Sequence, residues 1–331
     1  MQQTVLVIGG AGYIGSHTAY LASKQYQIIV LDALLHEQTF SYPWATFVQG
    51  DYGDRVALEK IFTAYHIDAV MHFAGYIEVG ASVRNPLAYY QNNVANTITL
   101  LAVMRAHACN TLIFSSSCAV YGIPVSTPID EEHPRNPISP YGHTKAMIEQ
   151  IVDDCHQAYG LNYVALRYFN AAGALPQQGL RECHKPETHV IPLLIRAAYE
   201  RTPFSLFGTD YDTPDGSCVR DFLHVVDIAS AHLKALAYLA CGGTSTVFNL
   251  GTASGISVKQ MIHMVEQVTG FTIPIIERAR RAGDPAILVA NADKALEVLQ
   301  WHPEHSNLEH ILRSALPGAH VVLEGEQSVV S

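Results

Sequence analysis

The sequence predicts an α/β fold: a doubly wound parallel sheet with a smaller, discontinuous α/β lobe. Three observations carry this. Short β-rich apolar runs alternate with helix-spaced segments from the N-terminus to about residue 170. A glycine loop, GGAGYIG at 9–15, separates the first run from the first helix. Polar residues then recur where the runs end, which is where open parallel sheets bind ligands.

Thr4–Ile8 is a continuous apolar run, as in a strand buried on both faces. Gly9, Gly12 and Gly15 permit a tight turn, close approach of a pyrophosphate and close helix–strand packing. Helical spacing runs from Tyr13 to about Lys24, and its N-terminus offers free N–H groups to phosphates. A second strand at 27–31 ends at Asp32, placed to accept hydrogen bonds from a ribose. Its charge would repel a 2′-phosphate, so NAD is expected rather than NADP.

The unit then repeats. Residues 46–48 read as a strand leading to Gly50-Asp51-Tyr52, 54–65 as a helix, and Ala69–His72 as a strand leading to the turn Phe73-Ala74-Gly75. A long helix over 87–107, a strand at 111–114, a helix over about 141–159 and a strand at 163–167 follow. After Asn170 the texture changes. Residues 171–188 and 208–217 read as loops, 189–201, 225–240 and 257–269 as helices, and Thr246–Leu250 and 273–276 as strands. The division expected is a cofactor-binding domain over 1–170 plus about 224–254, and a second lobe over about 171–223 and 255–331.

Composition narrows the class. The 331 residues are 49% hydrophobic and 15% charged, ample for a packed core and without a run long enough to span a membrane. The N-terminus enters a strand directly, with no cleavage signal. A net charge of −10 argues against nonspecific attraction to nucleic acid or an anionic membrane. The 6 cysteines form no CxxC pair and read as reduced thiols, which suggests a cytoplasmic protein. None of the 17 histidines falls in HExxH or another metal spacing, so no metal is expected.

The stretch 115–145 gathers the chemistry. Ser115, Ser116 and Ser117 follow a strand end, and Tyr141 and Lys145 stand four apart at the head of a helix, on one face. Tyrosine is a poor base near neutral pH, and a nearby ammonium stabilises its phenolate. Ser117, Tyr141 and Lys145 are therefore the candidate proton-transfer set.

In order along the chain stand GGAGYIG, LD at 31–32, GD at 50–51, HFAG at 72–75, YYQNNV at 89–94, SSSCAVYG at 115–122, YGHTK at 141–145, RYFNAAGA at 167–174, VRDFLHV at 219–225 and RRAGDP at 280–285. Over about residues 4–300 this resembles the UDP-glucose (UDP-galactose) 4-epimerases of the extended short-chain dehydrogenase/reductase superfamily. The resemblance implies a Rossmann domain with NAD, a UDP-sugar substrate, a homodimer, and Ser117, Tyr141 and Lys145 as the catalytic set. It implies that Gly9, Gly12, Tyr13, Ile14 and Gly15 meet the NAD phosphates, Asp32 a ribose, and Asp51 and Tyr52 the adenine. Phe73, Ala74, Gly75, Asn92, Phe169, Tyr141 and Lys145 would lie along the nicotinamide half. Asn170, His189, Arg220, Arg281, Asp284, Leu288 and Ser117 would face the UDP-sugar. From the residues alone, Asn92 reads equally well as an interior helix amide, and His189 as a helix N-terminal residue. Arg220 could instead pair with a loop acid such as Asp215.

The chain departs from the pattern at several points. Ile77 stands where the best-known bacterial epimerases carry lysine, Glu78 adds a negative charge, and Phe222 replaces a commoner tyrosine. Leu288 is intermediate in size at a position that bears on N-acetylated sugars. A 4,6-dehydratase on the same scaffold carries an Asp-Glu pair where this chain has Cys118-Ala119, so dehydration is disfavoured. Epimerisation of UDP-N-acetylhexosamines or UDP-pentoses is the alternative. A noncatalytic NAD-binding regulator is the reading from another class, and Tyr141 with Lys145 argues against it.

Overall fold

A computed structural model describes residues 2–34, 42–184, 187–281 and 283–318. Its centre is a seven-stranded sheet: β1 (Thr4–Ile8), β2 (Gln27–Asp32), β3 (Thr46–Gln49), β4 (Ala69–His72), β5 (Thr111–Ser115), β6 (Asn162–Tyr168) and, far later in the chain, a strand at Thr246–Leu250. The spatial order is 3-2-1-4-5-6 with the late strand beyond β6, and every pairing is parallel. Order reverses between β1 and β4, and the crevice outside their carboxyl ends is where such sheets bind ligands. All of β1 and β4 is buried, as their unbroken apolar runs require. Each buried Val, Leu or Ile there is worth about 1.5–3 kcal/mol.

Helices cover both faces: α1 (Tyr13–Ser23), α2 (Arg55–Ala64), α3 (Val79–Arg84), α4 (Pro86–Tyr89), α5 (Asn96–Ala106) and α6 (Pro140–Tyr159). The single helix expected over 87–107 is broken. Pro86 starts α4, and a π-helical turn over Tyr90–Ala95 separates it from α5. Asp54 caps α2 through the Val56 and Ala57 N–H groups, and Ser139 caps α6 through that of Gly142. Gly160, at φ +71°, ends α6 in the left-handed conformation that favours glycine.

Beyond Asn170 come β7 (Asn170–Ala172), α7 (Val190–Glu200), β8 (Phe204–Phe207), β9 (Val219–Arg220), β10 (Phe222–His224) and α8 (Val225–Ala240). The late sheet strand is β11, followed by β12 (Ile256–Ser257), α9 (Val258–Thr269), β13 (Ile275–Arg278), β14 (Ile287–Leu288), α10 (Asp293–Val298) and α11 (Leu308–Ala315). Three small sheets, β7 with β10, β12-β9-β14 and β13 with β8, join these pieces. A second apolar core holds α7, α9 and α11 together. Residues 292–301, expected with the second lobe, instead pack on the main sheet. Ala292, Ala295, Leu299 and Trp301 join the core of β1 and α8, and the Trp301 indole N–H donates to the Asp227 carbonyl at 2.9 Å.

Candidate functional site

One cleft of about 1150 Å³ opens along the carboxyl edge of the sheet. Every candidate site residue named from the sequence lines it, from Gly9 at β1 to Leu288 on β14.

The glycine loop is shaped for close approach. Gly9 lies at φ +77°, and a Cβ there would sit 2.6 Å from the Ala74 nitrogen. A Cβ on Gly15 would sit 2.2 Å from the Gly9 carbonyl oxygen. No larger residue fits either position. Gly12 precedes α1 with no side-chain cap, so first-turn N–H groups stay available to an anion. Tyr13 turns inward, and its hydroxyl donates to the Gly173 carbonyl at 2.5 Å. Ile14 packs against the main core.

Asp32 ends β2. Its Oδ2 accepts from Ala11 N–H at 3.0 Å and its Oδ1 from Leu34 N–H at 2.8 Å, so the carboxylate also braces the loop. Lone pairs remain on both oxygens for ribose hydroxyls. Asp51 Oδ1 takes the Gly53 N–H at 2.8 Å. The Tyr52 hydroxyl donates to the Asn92 carbonyl, and burial pushes its pKa up. Phe73 and Ala74 both donate N–H to the Ile8 carbonyl, at 2.8 and 3.1 Å, which folds this turn across the glycine loop.

The side chain that holds the turn is Asn93, which sequence reasoning missed. Its Oδ1 accepts from Tyr76 N–H at 2.8 Å, and its Nδ2 donates to the Tyr76 carbonyl and to Thr144 Oγ1 at 3.0 and 3.1 Å. Asn92 donates only to Asn93 among the described side chains. The paired asparagines in YYQNNV were the available signal.

Ser117, Tyr141 and Lys145 converge at the centre of the cleft. Gly142 makes this possible: a Cβ there would lie 2.5 Å from the Ala119 carbonyl oxygen, so only glycine lets α6 approach the turn after β5. Ser117 Oγ accepts from Ala119 N–H at 3.2 Å. Burial pushes the Tyr141 hydroxyl up to about 12, against a lowering hydrogen bond from Ser117. Lys145 Nζ donates to the Ser115 carbonyl at 2.7 Å and lies 5.9 Å from the centre of the Tyr141 ring. Burial brings Lys145 down to about 8, with Glu149 acting in the opposite sense. The expected depression of Tyr141 by Lys145 is therefore not seen in this arrangement. The ammonium is committed to the strand end, and desolvation of the phenol dominates.

On the far wall, Phe169 is buried with Val120, Tyr121 and Ala290, and Leu288 packs on that group. Asn170 donates Nδ2–H to the Asp221 carbonyl at 2.8 Å, so its amide ties β7 to the residue between β9 and β10. Arg220 pairs with Asp284 and not with Asp215. Its Nη2 donates to Asp284 Oδ1 and, at 2.9 Å, to the Pro285 carbonyl. Asp215 instead accepts from Ser217 and Ser257. Arg281 stacks over Phe207, 4.2 Å from the ring centre, and Arg280 pairs with Asp210 at 2.8 Å. His189 precedes α7, and its Nδ1 meets Glu187 Oε1 at 2.8 Å. Ile77 lines the cleft, and the Glu78 carbonyl accepts from the Tyr89 hydroxyl at 2.7 Å. Phe222 is buried in the second core.

The fitted glycine cradle, the uncapped α1 terminus and Asp32 at the end of β2 suit a dinucleotide such as NAD. Comparisons agree. A UDP-glucose 4-epimerase of Rhizobium leguminosarum bv. trifolii is 47% identical over 315 residues, covering 95% of this chain and 96% of that protein. The crystal structure of UDP-glucose 4-epimerase from Brucella ovis in complex with NAD superposes with a TM-score of 0.91 at 45% identity, covering 95% of this chain and 97% of that one. That of UDP-glucose 4-epimerase from Bifidobacterium longum in complex with NAD+ and UDP gives 0.86 at 39% identity, covering 95% and 97%. Residues 5–251 match the NAD dependent epimerase/dehydratase family, and the chain belongs to it.

Proposed function

We propose that this protein is a UDP-glucose 4-epimerase that interconverts UDP-galactose and UDP-glucose through a 4-keto intermediate. The observation that carries the reading is the convergence of Ser117, Tyr141 and Lys145 in one cleft with the glycine cradle. NAD, held by the glycine loop, Asp32, Asp51 and the 73–75 turn, would supply a hydride acceptor at C4 and return the hydride to the other face.

The chain's own part is proton transfer and grip. Carbon 4 of the sugar is not acidified by a carbonyl, so deprotonation alone cannot invert it. Tyr141 takes the O4 proton as the C–H bond is oxidised and gives it back on reduction. Ser117 hydrogen-bonds O4 and orients it. Lys145, held on the Ser115 carbonyl, brings its cation to 5.9 Å from the Tyr141 ring centre, and a positive nicotinamide beside it would add the field that favours the phenolate. Arg220 and Arg281 bring guanidinium groups to a diphosphate, which they can grip with paired hydrogen bonds. Asn170 and His189 complete this wall, and the apolar surface of Phe169 and Leu288 leaves the sugar loosely held, free to present its other face. In this reading the sheet-bearing part holds NAD, and the pieces around β8, β9, β13 and β14 hold the UDP-sugar.

A homodimer fits the exposed apolar side chains Val83, Leu87 and Met147 on the adjoining helices α3, α4 and α6. No helix among the described residues is long and apolar enough to cross a membrane. The six free cysteines suit a reducing cytoplasm.

The test is to incubate purified protein with UDP-galactose, without added NAD, and to follow UDP-glucose by chromatography. Product is expected from cofactor retained through purification. No conversion of either UDP-hexose, even with NAD added, overturns the proposal.

A further inference from the structure

The fold assembles two imidazoles and the Glu182 carboxylate on the cleft wall just before α7, with Glu187 against His189. Glu182, His184 and His189 each present a ligand atom, and these atoms all lie within 4.8 Å of one another. Glu182 Oε1 is held by the Cys183 and His184 N–H groups, at 2.9 and 3.0 Å, and by His184 Nδ1. Its Oε2 faces His189 Nδ1 across 4.0 Å, too far for a hydrogen bond. Glu187 takes that Nδ1 at 2.8 Å, while its own Oε1 is fixed by the Thr188 and His189 N–H groups, both at 2.7 Å. The rings of His184 and His189 are 5.6 Å apart. All four side chains are at least half withdrawn from solvent.

We propose that Glu182, His184 and His189 bind a divalent transition-metal ion, with Glu187, already on the His189 nitrogen that faces Glu182, as a further carboxylate donor. The donor set is two nitrogens and one carboxylate oxygen, which suits zinc and its first-row neighbours and leaves positions open toward the cleft. Such ions sit about 2.0–2.2 Å from each donor, so donors now up to 4.8 Å apart close on one with about 1 Å of side-chain motion.

The surroundings favour a cation. The Tyr13 hydroxyl is pushed up first by burial and then by the charges of Glu182 and Glu187, so both carboxylates act on the first turn of α1. That turn is where the uncapped N–H groups await an anion. Two carboxylates facing an anionic ligand repel it, and a dication among them removes the repulsion. It would also tie Glu182 and His184 to His189 at the start of α7. Spacing alone raises no expectation of metal, because Glu182-x-His184 and His189 meet only through the fold. The proposal does not depend on which sugar is epimerised.

The experiment uses tag-free protein purified with its NAD. Wild type and the Glu182→Gln, His184→Gln double variant are loaded with Zn²⁺, dialysed against metal-free buffer, and analysed for zinc. Co²⁺ is titrated in parallel and followed by visible absorption. Wild type is expected to retain about one zinc per chain, to develop a Co²⁺–imidazole absorption band, and to lose both in the double variant. Glu187→Gln should keep the band but weaken Co²⁺ binding, because it removes a negative oxygen donor beside His189. If the double variant does not fold, the wild-type band and the Glu187→Gln titration decide. Equal retention in wild type and double variant, or a wild type that retains no zinc and shows no band, overturns the site: the imidazoles then serve as hydrogen-bond partners of the carboxylates alone.

Discussion

Arg167 grips Glu149 through two parallel hydrogen bonds, Nε to Oε1 at 2.8 Å and Nη2 to Oε2 at 2.6 Å, both side chains almost wholly buried. The pair lies beneath the serine turn. Glu149 Oε1 also accepts from Ser116 Oγ at 2.6 Å, and Arg167 Nη1 donates to the Tyr121 hydroxyl at 2.7 Å. Burial opposes the Arg167 charge, and Glu149 more than compensates, so its pKa is raised. Ser116, and through it the backbone leading to Ser117, is thereby tied to α6 one turn beyond Lys145.

Removing Glu149 leaves the Arg167 charge buried alone. Glu149→Ala should therefore destabilise the protein by about 3–5 kcal/mol. Arg167→Met should cost less, because Arg135 still pairs with Glu149 at 3.1 Å, and the double variant less than the sum of the two. Denaturant unfolding of the four proteins measures this. Strict additivity would show that the ion pair is not the unit of stability.

Tyr141→Phe keeps the ring and removes the proton. Turnover should fall by at least about 10²-fold while NAD content, read from the spectrum of the purified protein, stays unchanged. A variant with the parental rate would remove Tyr141 as acid and base.

Lys145 links stability to pH. Burial holds its pKa at about 8 against an ordinary 10.5. Below about 8 both folded and unfolded chains carry the proton, and the folded state bears the whole cost of the buried charge. Between about 8 and 10.5 the unfolded state binds more protons, so this residue's contribution to stability rises with pH. The span corresponds to about 3 kcal/mol. The stability of Lys145→Met minus that of the parent should therefore be larger near pH 7 than near pH 10, falling across that window as denaturant unfolding is repeated at each pH. A gap independent of pH would mean that Lys145 keeps its proton throughout.

Arg220 is shared between Asp284 and the open cleft. Arg220→Met should raise KM for UDP-galactose about 10–100-fold, the loss expected of hydrogen bonds to a charged group. Initial rates over a range of substrate check it. An unchanged KM would confine Arg220 to a structural pairing with Asp284.

The parallel sheet was legible because each strand is an apolar run bounded by turns, and Ala69–His72, Val225–Ala240 and Thr246–Leu250 fall where spacing puts them. Two-residue strands such as Val219–Arg220 and Ile287–Leu288 have no period to read. The cleft was legible because its residues stand at strand ends. Less so were the polar groups beneath it. Asn93, Glu149 and Asp221 sit within ordinary helical or loop sequence, and only tertiary contact shows what each holds. Asp221 is the clearest instance: fully buried, it accepts from Thr252 N–H and Oγ1 and from Ala290 N–H at 3.0, 2.6 and 3.2 Å.

Leu288 bears on the range of sugars. In β14 it stands beside Arg220 of β9 in parallel register, half-buried against Phe169 and Tyr121. A guanidinium facing the diphosphate and a side chain facing the sugar would thus come from neighbouring strands at one level of the cleft. The leucine ends in two methyl groups, and a tyrosine at the same backbone position would carry a ring several ångströms further into the cleft. Rejecting a bulky substituent by steric overlap needs no new attraction, only the loss of room. Leu288→Tyr should therefore leave the rate on UDP-galactose within about 10-fold of the parent and lower any activity on UDP-N-acetylgalactosamine by at least about that factor, since pocket-size effects run about 1–3 kcal/mol. Parent and variant are compared by kcat/KM on both substrates. A parent active on both whose ratio does not move in the variant would take Leu288 off the sugar wall and return the choice of sugar to the Phe169 side of the cleft.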